Sequence, residues 1–224
     1  MNYRITLAIL AALTMSIISS ATAQNICETT EAGAWTAITW QEFADESCTV
    51  NYPGEAIGDR AVILHAIELD TDDLEALEDM TISAEGGLDG NGRFLEADQV
   101  SILTGSSLGN ISIESVVVSF VLIGESNTVF ITGDVTITPS PGEDELITVL
   151  SSEEVKEVNC DNPLIFSGSG TVTLNGAIWP DNPLIVADGV TLAGTGAADA
   201  VCTDPADDPA SVGGFAEPLA PEGE

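Results

Sequence analysis

The segment Asp161-Asn162-Pro163-Leu164-Ile165 recurs twenty residues later as Asp181-Asn182-Pro183-Leu184-Ile185. Each copy leads into a threonine-rich run, Gly170-Thr171-Val172-Thr173-Leu174 after the first and Gly189-Val190-Thr191-Leu192 after the second. A period near twenty, punctuated by Gly, Asn and Asp and filled with β-branched residues, marks a chain that coils on itself. Each coil then buries its inner side chains by stacking on the next. The expectation is an all-β, single-domain parallel β-helix, that is, a β-solenoid.

Working outward, the same texture extends back to Gly58. Ala61-Val62-Ile63-Leu64, Met80-Thr81-Ile82, Val100-Ser101-Ile102-Leu103, Ile111-Ser112-Ile113, Val129-Phe130-Ile131 and Val135-Thr136-Ile137 read as short strands. The apolar run Ser115 to Gly124 is short and β-branched, a buried strand rather than a membrane span. Glu68 to Asp79 has helical spacing at Leu69, Leu74 and Leu77, and equally fits a loop with strand pieces at the coil corners. Before this region, Trp35 to Trp40 reads as a short strand and Gln41 to Glu46 as a helical turn. Together they make residues 24–57 an N-terminal cap that blocks edge-to-edge growth. The solenoid is assigned to 58–202, and 203–224 to a disordered, acidic, Pro-rich tail.

Residues 1–23 have the pattern of a cleaved signal peptide. Arg4 precedes an apolar run from Ile5 to Ile18, and Ala21-Thr22-Ala23 supplies small residues ahead of Gln24. The protein is therefore expected to be secreted, to the extracellular space or cell surface, with the periplasm as the alternative, and without transmembrane anchoring. Export makes the four cysteines candidates for two disulfides. Cys27 and Cys48 lie 21 residues apart, about one coil, which brings them into bonding range on neighbouring coils. Cys160 and Cys202 follow mainly by elimination, and their bond requires the chain end to fold back.

The formal net charge is -33, from 37 acidic residues against four Lys plus Arg. Such a surface repels nucleic acid and anionic lipid and excludes both as partners. Its acidity fits hydration at high ionic strength, or divalent-cation binding as the sharper alternative.

The passage Thr81 to Val118, with Leu88-Asp89-Gly90-Asn91-Gly92-Arg93 followed by Val100-Ser101-Ile102 and Ile111-Ser112-Ile113, resembles coils of secreted right-handed parallel β-helix proteins of the pectin-lyase-like class. The resemblance spans roughly residues 58 to 200. For that class it implies polysaccharide chemistry by an Arg or Lys base with carboxylate-bound calcium, or by clustered aspartates with a His. After removal of the signal peptide the chain offers only Arg60, Arg93, Lys156 and His65, with no accompanying "GHG" or "RIK" motif. Arg93 more often pairs with nearby carboxylates, and His65 beside Leu64 and Ala66 reads as structural. The resemblance is thus to the non-catalytic members, and no catalytic residue is assigned.

Metal chemistry has two candidate places, both for Ca²⁺. Asp89 and Asn91 sit in a Gly-rich turn whose aspartate is misplaced for a calcium-binding nonapeptide, and which lacks the spaced acids of an EF-hand. Asp161 and Asp181 would stack one coil apart, where like charges repel unless a cation lies between them. Asp70, Asp72 and Asp73 form no specific acid–base pair, and Thr171, Thr173 and Thr191 form a short threonine row. The functional expectation is a non-catalytic structural or adhesive protein of the cell surface or matrix. Its partners are copies of itself, as oligomer or filament, or cell-surface polysaccharide. A carbohydrate-binding or carbohydrate-cleaving β-helix and a cation-dependent binder are the alternatives.

Overall fold

A computed structural model describes residues 25–44, 47–124, 126–140, 146–151, 162–176 and 184–195. The expected signal peptide and tail, together with Lys156, Cys160, Asp161, Asp181 and Cys202, lie outside the described residues. Those residues form β1 (Ile26–Thr29), β2 (Gly33–Ala34), β3 (Trp40–Glu42), β4 (Arg60–Ile63), β5 (Ala66–Glu68), β6 (Leu77–Ile82), β7 (Gly87–Leu103) and β8 (Ser107–Leu122). They continue as β9 (Thr128–Ile131), β10 (Val135–Pro139), β11 (Leu146–Ser151), β12 (Leu164–Gly168), β13 (Gly170–Leu174), β14 (Leu184–Val186) and β15 (Val190–Ala193). There is no helix among them, and hence none long and apolar enough to cross a membrane.

The strands stack in parallel into a β-solenoid of about 5 turns. The pairing defines three faces. β2, β5, β7, β8, β9, β12 and β14 build the first, and β7, β8, β10, β13 and β15 the second. The third comprises β1, β4, β6, β7, β8 and β11. β7 and β8 run 17 and 16 residues because each bends around the corners and joins all three faces.

Alternation along each strand turns every second side chain inward, and parallel register stacks like on like. Ala61, Met80, Val100, Val118 and Ile147 form one inward column. Leu95, Ile113, Ile137 and Leu174 form another on the second face. All are buried, each large aliphatic contributing roughly 1.5–3 kcal/mol from burial. Phe120 and Phe166 meet edge to face across the interior at 5.3 Å. The duplicated segment behaves as one coil step, with Leu164 and Ile165 paired to Leu184 and Ile185 and Thr171 to Thr191. Thr173 pairs with Thr136 and Ala193 instead, so the three threonines do not make a single row.

The period is less regular than a constant twenty. Along the third face the column steps by 19, 20, 18 and 29 residues, from Ala61 through Met80, Val100 and Val118 to Ile147. Register is held by the inward columns, so extra chain is accommodated between strands at little entropic cost.

Two local expectations are corrected, and one pair of alternatives is decided. The stretch from Trp35 to Trp40 is not one strand: residues 35–38 turn directly after β2, and only Trp40 enters β3. The two indoles are drawn inward to plug the end of the core. Their centroids are 4.8 Å apart, and they donate to backbone, Trp40 Nε1 to Trp35 O (2.9 Å) and Trp35 Nε1 to Pro53 O (3.0 Å). Gln41 and Glu42 are not helical, since β3 pairs antiparallel with β1. Residues 68–79 are loop and strand: Leu69 and Leu77 are buried through the solenoid interior rather than along a helix stripe.

Cys27 and Cys48 form a disulfide with Cα atoms 5.0 Å apart. It does not join neighbouring coils, as a separation of one period implies. Cys27 lies on β1 and Cys48 follows the antiparallel β3, so the bond closes the cap on itself. The cap then docks through β1 on β4 in parallel. Outside the main core, Ile26 and Phe43 of the cap cluster with Val62 and Leu103 of the third face. Replacing both cysteines with serine should lower the unfolding free energy by roughly 2–4 kcal/mol, read as an earlier urea midpoint. An unchanged midpoint would show that the cap is held without the bond.

Candidate functional site

Where the first face turns into the second, three successive coils present a Gly–Asx pair: Gly90-Asn91, Gly109-Asn110 and Gly133-Asp134. Asn91 and Asn110 adopt left-handed backbone angles, φ 54° and 49°, which Asn tolerates better than most residues. The Gly-rich segment therefore does not separate two strands. It is a bulge inside β7, with the register shifting between Asp89 and Arg93, so that three residues of β7 oppose Asn110 alone.

The corner is tied by its own polar groups. Asp89 Oδ1 accepts from Asn91 N (2.9 Å) and from Asn110 Nδ2 (3.2 Å). Asn91 Nδ2 donates to Glu68 Oε1 of the preceding coil (3.0 Å). Thr171 N donates to Asp134 Oδ1 (2.8 Å). Asp89 and Asn91 are thus brought together, but as partners in a turn whose donors occupy the carboxylate. Among the described residues no three His, Cys, Asp or Glu side chains are grouped closely enough to hold a metal.

Beside this corner lies an open groove of about 440 Å³, lined by Asn91, Gly92, Asn110, Ile111, Ser112, Asp134 and Thr136. Phe94 pairs in register with Ser112 at its rim and is 53% exposed. From the groove, the outward side chains of the second face continue as a column: Ser112, Thr136 and Thr173. The third face carries a similar column of Thr81, Ser101, Ser119 and Thr148. There Ser119 Oγ and Thr148 Oγ1 are 2.9 Å apart, while the cap end of the column, at Thr81, is buried.

Among the described residues, the arginines and the histidine from which catalysis would be built are engaged in structure. Arg93 Nη1 donates to Leu69 O (2.7 Å), and its Nε lies 3.1 Å from Asp72 Oδ1 without hydrogen-bond alignment. It closes the edge of the second face, where the coil before β7 supplies a loop instead of a strand. Arg60 is buried against Glu78 and Asp79. His65 Nδ1 is 3.1 Å from Thr29 Oγ1, which also accepts from Leu64 N (2.9 Å). Asp70 does not join Asp72 and Asp73 in a carboxylate cluster. Burial pushes its carboxyl up, but bonds from Thr36 N (3.0 Å) and Thr36 Oγ1 (2.6 Å) outweigh this and hold it below its ordinary value.

Asn110, Ser112, Asp134, Thr136 and Phe94 escaped the reading of the sequence. Their signal was the recurrence of Gly-Asn-Ile-Ser at 109–112 and Gly-Asp-Val-Thr at 133–136, one coil corner each. Asn110→Ala removes both the bond to Asp89 and the residue suited to its backbone angle. It should cost roughly 1–2 kcal/mol, and Asn110→Gly less, by urea titration. Equal losses would remove the backbone angle as a cause.

In comparison with known proteins, the chain matches no family model, no curated protein and no solved structure.

Proposed function

We propose that this chain is a non-catalytic secreted surface or matrix protein that adheres through the flat faces of its solenoid. The observation that carries this reading is the in-register display of hydroxyl side chains, Ser112–Thr136–Thr173 on the second face and Ser101–Ser119–Thr148 on the third. Parallel stacking sets such groups about 4.8 Å apart along the axis. Threonine adds a stiff χ1, so little side-chain freedom is lost when an extended partner lies across them. The engagement of Arg60, Arg93 and His65 in structural contacts supports a binding rather than a catalytic role. So does the resemblance to β-helix proteins of the pectin-lyase-like class without their basic catalytic motifs.

One observation favours a second reading, in which the groove grips or cleaves a glycan. Phe94, in register with Ser112, offers an exposed ring next to a groove lined in part by the amides of Asn91 and Asn110 and the hydroxyls of Ser112 and Thr136, the pairing of apolar surface with a few polar groups that ligand sites use. The net charge of -33 favours neutral over anionic polymers.

Retention of the purified mature protein on cell-surface polysaccharide fractions, with product release assayed in parallel, tests the proposal. Retention without release is expected. Thr136→Lys, which breaks the second-face column, should weaken retention about tenfold or more. Soluble product that disappears in Asp134→Asn would establish cleavage and overturn the non-catalytic reading. Retention that needs added Ca²⁺ would move the role to cation-dependent binding.

A further inference from the structure

Arg60 on β4 faces Asp79 on β6 in register, and on its other side pairs with Ile26 of the cap. The pair therefore joins β4, the strand that carries the cap, to β6 of the next coil. Both side chains are largely removed from water, 10% and 12% exposed. Arg60 donates to Glu78 through Nε to Oε2 (3.2 Å) and Nη2 to Oε1 (3.1 Å). The same Nε lies 3.0 Å from Asp79 Oδ2. Nε carries one hydrogen, directed at Glu78, so Asp79 Oδ2 is buried beside a positive charge but without a hydrogen bond. A third carboxylate, Asp98, adds its negative charge from β7, next to Gln99, the register partner of Asp79. One guanidinium is thus shared between two carboxylates of β6, with the charge of a third, on β7, acting on Asp79.

We propose that this contact is a proton-operated latch, in which protonation of Asp79 tightens the docking of β4, together with the N-terminal cap it carries, on β6 of the next coil. With Asp79 neutral, the charge of Arg60 is left to Glu78, and the repulsion from Glu78 and Asp98 falls away. Burial, opposed by Arg60 and reinforced by Glu78 and Asp98, pushes the Asp79 carboxyl up from 3.8 to about 6. A carboxyl whose pKa is higher in the closed state binds its proton more tightly there. The added stability is accordingly absent above about pH 6, grows as pH falls toward the ordinary value, and is constant below it. Opening of the latch releases a proton.

The test is hydrogen exchange of the β1 and β4 amides in the full mature chain between pH 7.5 and 5, corrected for intrinsic rates, with Asp79→Asn alongside. Lower pH also relieves the overall repulsion of a strongly acidic chain, but that background is common to both proteins. Protection at β1 and β4 is expected to rise about tenfold more in the native protein than in Asp79→Asn. Protection at Ile113, far from the contact, should change equally in the two. An identical rise at β1 and β4 in both proteins would overturn the latch. Direct titration of the Asp79 carboxyl carbon in the native chain decides the matter independently of how the variant folds. A midpoint near 6 is expected, and one near 4 would overturn it.

Discussion

The structure depends on one constraint: successive coils must keep parallel register so that each inward side chain lands on its counterpart. Leu95, Ile113, Ile137 and Leu174 bury nothing of consequence within their own strands, and become a core only as a stack. Register cannot slip by one residue without turning the whole inward set outward. The same register aligns the outward side chains. The hydroxyl columns and the Gly–Asx corner are therefore consequences of the core, and any function they perform is inherited from it. Irregular coils are tolerated for the same reason, since the steps between Val118 and Ile147 or between Ile137 and Leu174 lengthen without disturbing the stack.

A chain of net charge -33 must also place its few cations with care. Arg60 and Arg93 both stand where the repeating pattern is broken. Arg60 is at the seam between cap and solenoid. Arg93 is at the edge of the second face, where the preceding coil offers a loop carbonyl and Asp72. Within the regular coils, backbone ladders and apolar columns suffice, and no described ion pair is found there. The cap itself rests on different means: an antiparallel hairpin, a disulfide and two indoles that seal the end of the core. Screening by salt lowers the self-repulsion of the remaining acidic surface.

Much of this is legible in the sequence where residues repeat. The doubled Asp-Asn-Pro-Leu-Ile and the β-branched runs carry the solenoid and its register, because periodicity is what stacking requires. The cap is harder to read because it does not repeat. Trp35 looks like a strand residue by propensity, yet the need to close an apolar end overrides propensity and turns it in beside Trp40, which does enter β3. The spacing of Cys27 and Cys48 matches one coil only by coincidence, as a hairpin loop occupies the same length. The corner is half legible. Asp89 and Asn91 stand out within their glycines, whereas Asn110 and Asp134 gain meaning only when three corners, 19 and 24 residues apart, are laid over one another. The latch is not legible at all, since nothing local in the sequence brings Arg60 to Asp79.

Adhesion by flat, hydroxyl-bearing faces presupposes that the register is real, and it is open to a direct test. Nuclear Overhauser contacts among the backbone protons of Ile113, Ile137 and Leu174 report whether their strands run parallel and in step. Stacked coils predict the inter-strand Hα-to-amide pattern of parallel strands, linking Ile113 to Ile137 and Ile137 to Leu174. Close Hα-to-Hα contacts between these strands, the mark of antiparallel hairpins, would contradict it and remove the aligned faces.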